Sequence, residues 1–356
     1  MPTVDRKRGL PKLGAVARVG EGQLRASPLT QLPGVLRDLG VDPDRVFAEV
    51  GFDPAPLRDP ESTVPFRKAA ELLQRCIERS GRADLPLLLA QRCDYSVLGI
   101  IGLLARHAPD VGSAWRAAIE RLHLHDRGAV ITLQVSGAVA FLGYSVYERG
   151  VTGADHVYVL AMAIGQQIMR GLCGPDWHAS EVHLPARRPR GEAPFRKFFG
   201  APPRFNAESA ALVFPAEVLR QPIPGADPAV HRAVSALVDD LARQSPTDVG
   251  GAVRRALRSM LVAGRASESG VAAAFSMHRR TLNRRLRGEG TSFRRLLEET
   301  RCDVACQLLR DTDAAIDEIA NGLGYSGSTA FGRAFKRWSG VAPQSWRAHH
   351  SARAGA

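Results

Sequence analysis

Arg279, Arg280, Asn283 and Arg284 are spaced to share one flank of a helix. These are residue types that read nucleic-acid base edges. An arginine fork matches the two acceptors of a guanine edge, and an asparagine amide matches the donor and acceptor of adenine. At an offset of 49 residues the same positions recur as Ser328, Thr329, Gly332 and Arg333, with Lys336 on the next turn. The chemistry on offer is hydrogen bonding to bases and neutralisation of phosphate, not bond making or breaking. Other polar groupings are weaker. His123, His125 and Asp126 sit together, as do His178 and His183, and Cys302 and Cys306 lie four apart on one helix, but none completes a metal-ligand set. No Gly-rich phosphate loop, nucleophile elbow or paired carboxylates occur. No catalytic residue, metal or cofactor is therefore assigned, and the chain is not read as an enzyme.

Two such flanks need rigid supports, and the sequence supplies a repeated one. Val271-Ala272-Ala273-Ala274-Phe275-Ser276-Met277-His278 aligns with Ile319-Ala320-Asn321-Gly322-Leu323-Gly324-Tyr325-Ser326 at an offset of 48. Thr281–Leu286 then aligns with Ala330–Phe335 at 49, so the slip of one residue falls where the second helix starts. A supersecondary unit used twice is the simplest reading. Each copy has a small residue in a first helix (Ala272, Ala320), a short turn, and a second helix burying residues four apart (Leu282 with Leu286, Phe331 with Phe335). That is the pattern of a helix-turn-helix, whose second helix, here about 279–287 and 328–336, enters a major groove. Between the copies, Phe293, Leu296, Leu297, Val304, Ala305, Leu308 and Leu309 mark one face of a long helix from near Ser292. About 19 residues at 1.5 Å each span roughly 28 Å, close to one DNA turn of about 34 Å.

The segment from about Val253 to His349 resembles the DNA-binding domain of the AraC/XylS family of transcription regulators. The resemblance rests on Arg280–Leu286, Glu289-Gly290-Thr291-Ser292-Phe293, Arg301, Glu318-Ile319-Ala320 and Leu323-Gly324-Tyr325-Ser326. It continues through Ala330-Phe331, Arg333–Trp338, Gly340 and Pro343. It implies base contacts from Arg280, Asn283 and Arg284 in the first unit, and from Ser328, Thr329, Gly332 (backbone only) and Arg333 in the second. His278 stands where the family often has a capping serine, and histidine caps less well. Phe198-Phe199-Gly200, Arg204-Phe205, Leu212-Val213-Phe214 and Pro222–Asp227 resemble the N-terminal regulatory domain of one subgroup. That resemblance implies small-molecule sensing or self-association, with the effector-binding residues unknown. By the same analogy the partners are promoter DNA, an effector, RNA polymerase and a second copy of the chain.

Elsewhere the reading is coarser. Helical spacing follows Pro65 (Phe66, Ala69, Ala70, Leu73, Ile77), and Ser96 is placed to cap a helix through Leu98, Ile101, Leu104 and Ala105. Val130–Val135 and Val139–Tyr147 read as a hairpin, followed by a helix over 154–170, strands at 181–184 and 210–214, and a helix over 228–243. The expected architecture is an α+β N-terminal domain followed by an all-α domain with two helix-turn-helix units joined by a long helix. The expected boundaries are a disordered basic tail over 1–27, a regulatory domain over 28–243, a linker over 244–251, the DNA-binding domain over 252–349 and a tail over 350–356.

Of the net charge of 48 − 36 = +12, residues from Gly251 onward carry 18 Lys and Arg against 9 Asp and Glu, or +9. A basic domain attached to a near-neutral one suits a polyanion. No apolar run is long enough for a membrane span and no apolar signal core follows Arg6-Lys7-Arg8, so a cytoplasmic, nucleoid-associated protein is expected. Two rivals stay open: an N-terminal enzyme tethered by the basic domain, and an architectural DNA binder without sequence choice. Arg301, among apolar neighbours, is expected to pair with Asp317 or Glu318. Arg285 and Arg287 are expected to meet solvent or phosphate. Arg187-Arg188-Pro189-Arg190 reads as a solvated basic loop.

Overall fold

The computed structural model describes residues 18–146, 148, 151–244, 249–262, 266–275, 277–311 and 314–351. The N-terminal domain begins with strand β1 (Gln23–Arg25), helices α1 (Leu32–Asp38) and α2 (Pro43–Val50), and strand β2 (Thr63–Pro65), which pairs antiparallel with β1. Residues 18–27 are thus not a tail. Arg25 is buried, donating to the carbonyls of Leu124 and Glu61 and paired with the Glu61 carboxylate at 2.9 Å. The expected tail from residue 1 through 17 lies outside the described residues.

Helices α3 (Phe66–Ser80), α4 (Leu85–Ala90), α5 (Ile100–Arg106) and α6 (Val111–Arg121) follow. The helix expected to start at Ser96 is broken. A 3-10 turn over Tyr95–Leu98 is capped by Asp94, whose carboxylate accepts from the Ser96 N–H, and Gly99 at φ +57° separates it from α5. Only glycine adopts that conformation cheaply.

The hairpin forms as the alternation predicts: β3 (Ala129–Ser136) pairs with β4 (Val139–Val146) around Gly137 at φ +60°. Then come α7 (Ala154–Cys173), β5 (Glu181–Leu184), α8 (Ala193–Phe199), β6 (Pro203–Phe205) and β7 (Ala210–Pro215). They build a five-stranded sheet in the order β3-β4-β7-β5-β6, with β5 and β6 parallel and the other pairs antiparallel. Ala140, Leu142, Leu212 and Phe214 point to the face covered by α7, where they join the main core. This is the expected α+β architecture. Among the described residues, no helix is long and apolar enough to cross a membrane.

Helix α9 (Pro228–Gln244) closes the first domain, and α10 (Val249–Val262) opens the second. Residues 249–251 of the expected linker are therefore helix, and Val249 and Val253 already belong to the core of the first helix-turn-helix unit. The rest is all helical, as expected: α11 (Glu268–Ala274), α12 (Arg279–Gly288), α13 (Phe293–Asp311), α14 (Ile316–Gly322), α15 (Ser328–Ser339) and α16 (Pro343–Ser351). Residue 351 thus still belongs to α16, inside the expected tail.

Candidate nucleic-acid interface

The two units are built alike. In the first, Val271 and Ala272 of α11 meet Leu282 and Leu286 of α12; in the second, Ile319 and Ala320 of α14 meet Phe331 and Phe335 of α15. All eight are at most 2 % exposed, so the repeat seen in the sequence is a repeat of the core. The turns match as well. The Met277 N–H donates to the Ala272 carbonyl at 2.8 Å, and the Tyr325 N–H donates to the Ala320 carbonyl at 2.9 Å. That shared bond sets the angle at which each second helix leaves its first.

Each unit also uses a carboxylate at the start of its first helix to hold the second. Glu268 accepts from Arg279 Nε and Nη2 at 3.1 and 3.0 Å and from Asn283 Nδ2 at 2.7 Å. The bonds from Arg279, with Asn283 adding to them, hold the Glu268 carboxyl below the usual range. Asp317 accepts from the backbone N–H of Ser328 at 3.0 Å, satisfying one of the free donors at the start of α15. His278 begins α12 without a side-chain cap bond, as its residue type implies.

The remaining candidates lie at the surface. Arg280, Arg284, Thr329, Arg333 and Lys336 are exposed, while Asn283, Ser328 and Gly332 are half-buried. A side chain at Gly332 would meet nothing within 4 Å, so that part of α15 is bare backbone open to an approaching surface. The helices therefore offer two flanks of donors and positive charge, although Arg279 is already neutralised by Glu268.

Between the units, α13 runs for 19 residues, roughly 28 Å at 1.5 Å per residue. Its first half packs into the core of the first unit through Phe293 and Leu296, and its second half into that of the second unit through Val304, Ala305 and Leu309. Glu299 accepts from Arg254 of α10 at 2.8 Å and from Arg295 at 2.9 Å. Glu289, in the loop before α13, accepts from the Val249 and Gly250 N–H groups, both at 2.7 Å, and so caps α10. Near the middle of α13 the pairing expected for Arg301 is replaced. Its guanidinium lies over the Tyr325 ring, 4.9 Å from the centroid, while Asp317 is engaged with Ser328 and Glu318 with the Ala315 N–H. A planar cation beside an aromatic face inside an apolar cluster loses less on burial than a second charge would.

Sequence reasoning missed Glu268 and the capping roles of Glu289 and Asp317, which depend on which helices meet. It also missed the contact between domains. Helices α10 and α11 pack against β3, on the side of the sheet opposite α7. A crevice there has Leu122, Asp126 and Ile131 on one side and Phe275, Met277 and Arg285 on the other. Arg285 thus borders the N-terminal domain rather than the flank formed by Arg280 and Arg284. In the basic loop, Arg188 pairs with Glu192 at 3.1 Å. His183 is paired with Glu181 at 3.0 Å, and no metal-binding group of three ligands forms among the described residues. Burial pushes the Cys302 thiol up to about 12, which fits an inert side chain.

The fold and this surface define a two-unit helix-turn-helix protein carrying a separate α+β domain. Comparison with known proteins agrees. The N-terminal arabinose-binding domain of AraC transcription regulators matches residues 40–223, and a helix-turn-helix domain family matches residues 271–349. The chain belongs to the AraC family of transcription regulators. It is similar to the HTH-type transcriptional regulator VirS of Mycobacterium tuberculosis, 27% identical over 330 residues that cover 92% of this chain and 96% of that one. It is similar too to the ornithine utilization regulator of Pseudomonas aeruginosa, 26% identical with coverage of 88% and 93%. Among solved structures it is similar to the transcriptional regulator CdpR from Pseudomonas aeruginosa, 24% identical, covering 86% of this chain and 96% of that one with a TM-score of 0.42.

Proposed function

We propose that this transcription regulator recognises a specific promoter sequence by placing α12 and α15 in successive major grooves, under control of a small molecule held by its N-terminal domain. The observation that carries the reading is the pair of equivalent units, with matching cores and matching turn bonds, at the two ends of one anchored helix. Arg280, Asn283 and Arg284, and Ser328, Thr329 and Arg333, supply base contacts, and Gly332 lets the α15 backbone come close. Arg279 and Lys336 complete the interface, Arg279 chiefly by orientation through Glu268 and Lys336 by charge. Phosphate contacts give affinity and base contacts give selection. The working division is a regulatory domain ending near residue 243 and a DNA-binding domain of roughly 252–349 extended to include all of α10. By analogy with the family, the proposal extends to a homodimer acting beside RNA polymerase in the cytoplasm, on the nucleoid.

Footprinting on the DNA flanking the protein's own coding region tests this. Protection of about two helical turns, with promoter DNA bound far more tightly than random DNA at matched salt, is the expected result. Equal affinity for both would favour an architectural binder instead.

A further inference from the structure

Asn283 does not stand alone on α12. The Glu268 carboxylate reaches it from the start of α11, and its Oε1 takes bonds from both Asn283 Nδ2, at 2.7 Å, and Arg279 Nε, at 3.1 Å. Oε2 accepts from Arg279 Nη2 at 3.0 Å. The asparagine amide keeps one N–H and its carbonyl oxygen for a base.

A free asparagine amide can read in two senses. Turned over about its Cβ–Cγ bond, it exchanges an acceptor for donors at nearly the same place. In one sense it fits adenine; in the other it offers N–H groups to the oxygens of guanine or thymine. Glu268 removes that freedom. The bonds from Arg279 and Asn283 hold its carboxyl below the usual range, so it is ionised at neutral pH and can only accept. The nitrogen of Asn283 must therefore face it, because Oδ1 in that place would set two acceptors 2.7 Å apart. Oδ1 then lies on the other side of the amide. Among the described residues it takes no hydrogen bond, and it is not sealed from solvent. In the second unit Asp317 accepts from the backbone N–H of Ser328 instead, which fixes the helix but no reading side chain.

We propose that Glu268 is a specificity-determining residue: by holding Asn283 Nδ2 it commits the amide to present Oδ1 to the groove, so that α12 selects an amino base at that pair, adenine ahead of cytosine, and rejects guanine and thymine. The proposal rests on the reading of α12 as a groove-reading helix and adds the base class and the residue that sets it. Adenine leads because its N6 amino group donates to Oδ1 while its N7 takes the remaining Nδ2 hydrogen; cytosine offers the N4 donor alone. Guanine and thymine present oxygens to an oxygen. Glu268 touches no base and acts by position, fixing the amide before DNA arrives and so lowering the cost of ordering it.

Selection from a randomised duplex pool by the full chain, with Asn283→Ala, Glu268→Gln and Arg279→Met beside wild type, tests this. Asn283→Ala marks the base pair concerned. Wild type favours adenine over guanine there by about tenfold or more. Glu268→Gln, nearly equal in size but able to donate as well as accept, lets the amide turn over and cuts that ratio by about fivefold or more, the worth of one hydrogen bond. Preference at the pairs read by Arg284 and Arg333 is kept. Arg279→Met, which leaves the carboxylate on Asn283, keeps the adenine preference. Guanine or thymine favoured at the Asn283 pair by wild type, or an unchanged ratio in Glu268→Gln, overturns the assignment. So does a parallel loss at the Arg284 pair, which loosened packing would give, or a loss in Arg279→Met as full as in Glu268→Gln. A defined site in which Asn283→Ala changes no position removes this proposal alone; a chain that selects no sequence removes the promoter reading with it.

Discussion

The Glu268 carboxylate grips the Arg279 guanidinium by two hydrogen bonds, 3.1 and 3.0 Å long, and takes a third from Asn283. One acid from the first helix thereby fixes two side chains on the second before any DNA arrives. Glu268→Ala should free a positive charge and loosen the asparagine. The expected outcome is a salt dependence of log K steeper by about 0.9, as for one added phosphate contact, with higher affinity for random DNA and poorer discrimination at the base read by Asn283. An unchanged salt slope in a titration series would mean that Arg279 is not within reach of the backbone.

Arg301 over Tyr325 ties the spacer helix to the turn of the second unit. Cation–π pairs contribute about 0.5–2 kcal/mol, more when desolvated. Arg301→Met should lower the unfolding free energy, read from denaturant titration, by an amount in that range and weaken promoter binding. Arg301→Lys should not fully restore either, because an ammonium does not stack as a guanidinium does.

Acid should act through His125. Its pKa falls from the ordinary 6.5 to about 3 in the folded chain, so between those values the unfolded state binds the extra proton. The neutral ring's contribution is complete above pH 6.5 and is lost as pH drops towards 3. The slope is about 1.4 kcal/mol per pH unit. Unfolding measured from pH 7 to 5 should therefore be less pH-sensitive in His125→Leu than in wild type; parallel curves would contradict the burial of a neutral ring beside Arg25 and Asp126.

Gly332 lies inside α15 with open space where a Cβ would point. Gly332→Ala should stabilise the fold by about 0.5–1 kcal/mol while reducing promoter affinity, because the added methyl meets the groove. A gain in both stability and affinity would place this flank away from DNA.

What was legible in the sequence follows from how each feature is encoded. Leu282 and Leu286, Phe331 and Phe335, and the alanines opposite them hold fixed spacings, so the duplicated unit and its core could be read directly. The β3–β4 hairpin announced itself by alternation. Strands β1, β2 and β6 are three residues each, too short to show a period. Arg25 looked like part of a basic tail because nothing local signals that its charge is matched by Glu61 and two carbonyls. Ser96 was a plausible cap, yet Asp94 and Gly99 divide that segment differently. Glu268 and Asp317 act across a turn, and the pairing of helices decides their partners.

Binding-site selection from a randomised duplex pool, run on wild type, Arg284→Ala and Arg333→Ala, tests the central claim most directly. Each variant should lose preference at its own base pair, at a cost of about 1–3 kcal/mol, and the two affected positions should lie about 10 bp apart, one helical turn. Loss at a single shared position, or no loss in Arg333→Ala alongside intact selection by α12 alone, would contradict two helices reading successive grooves of one duplex.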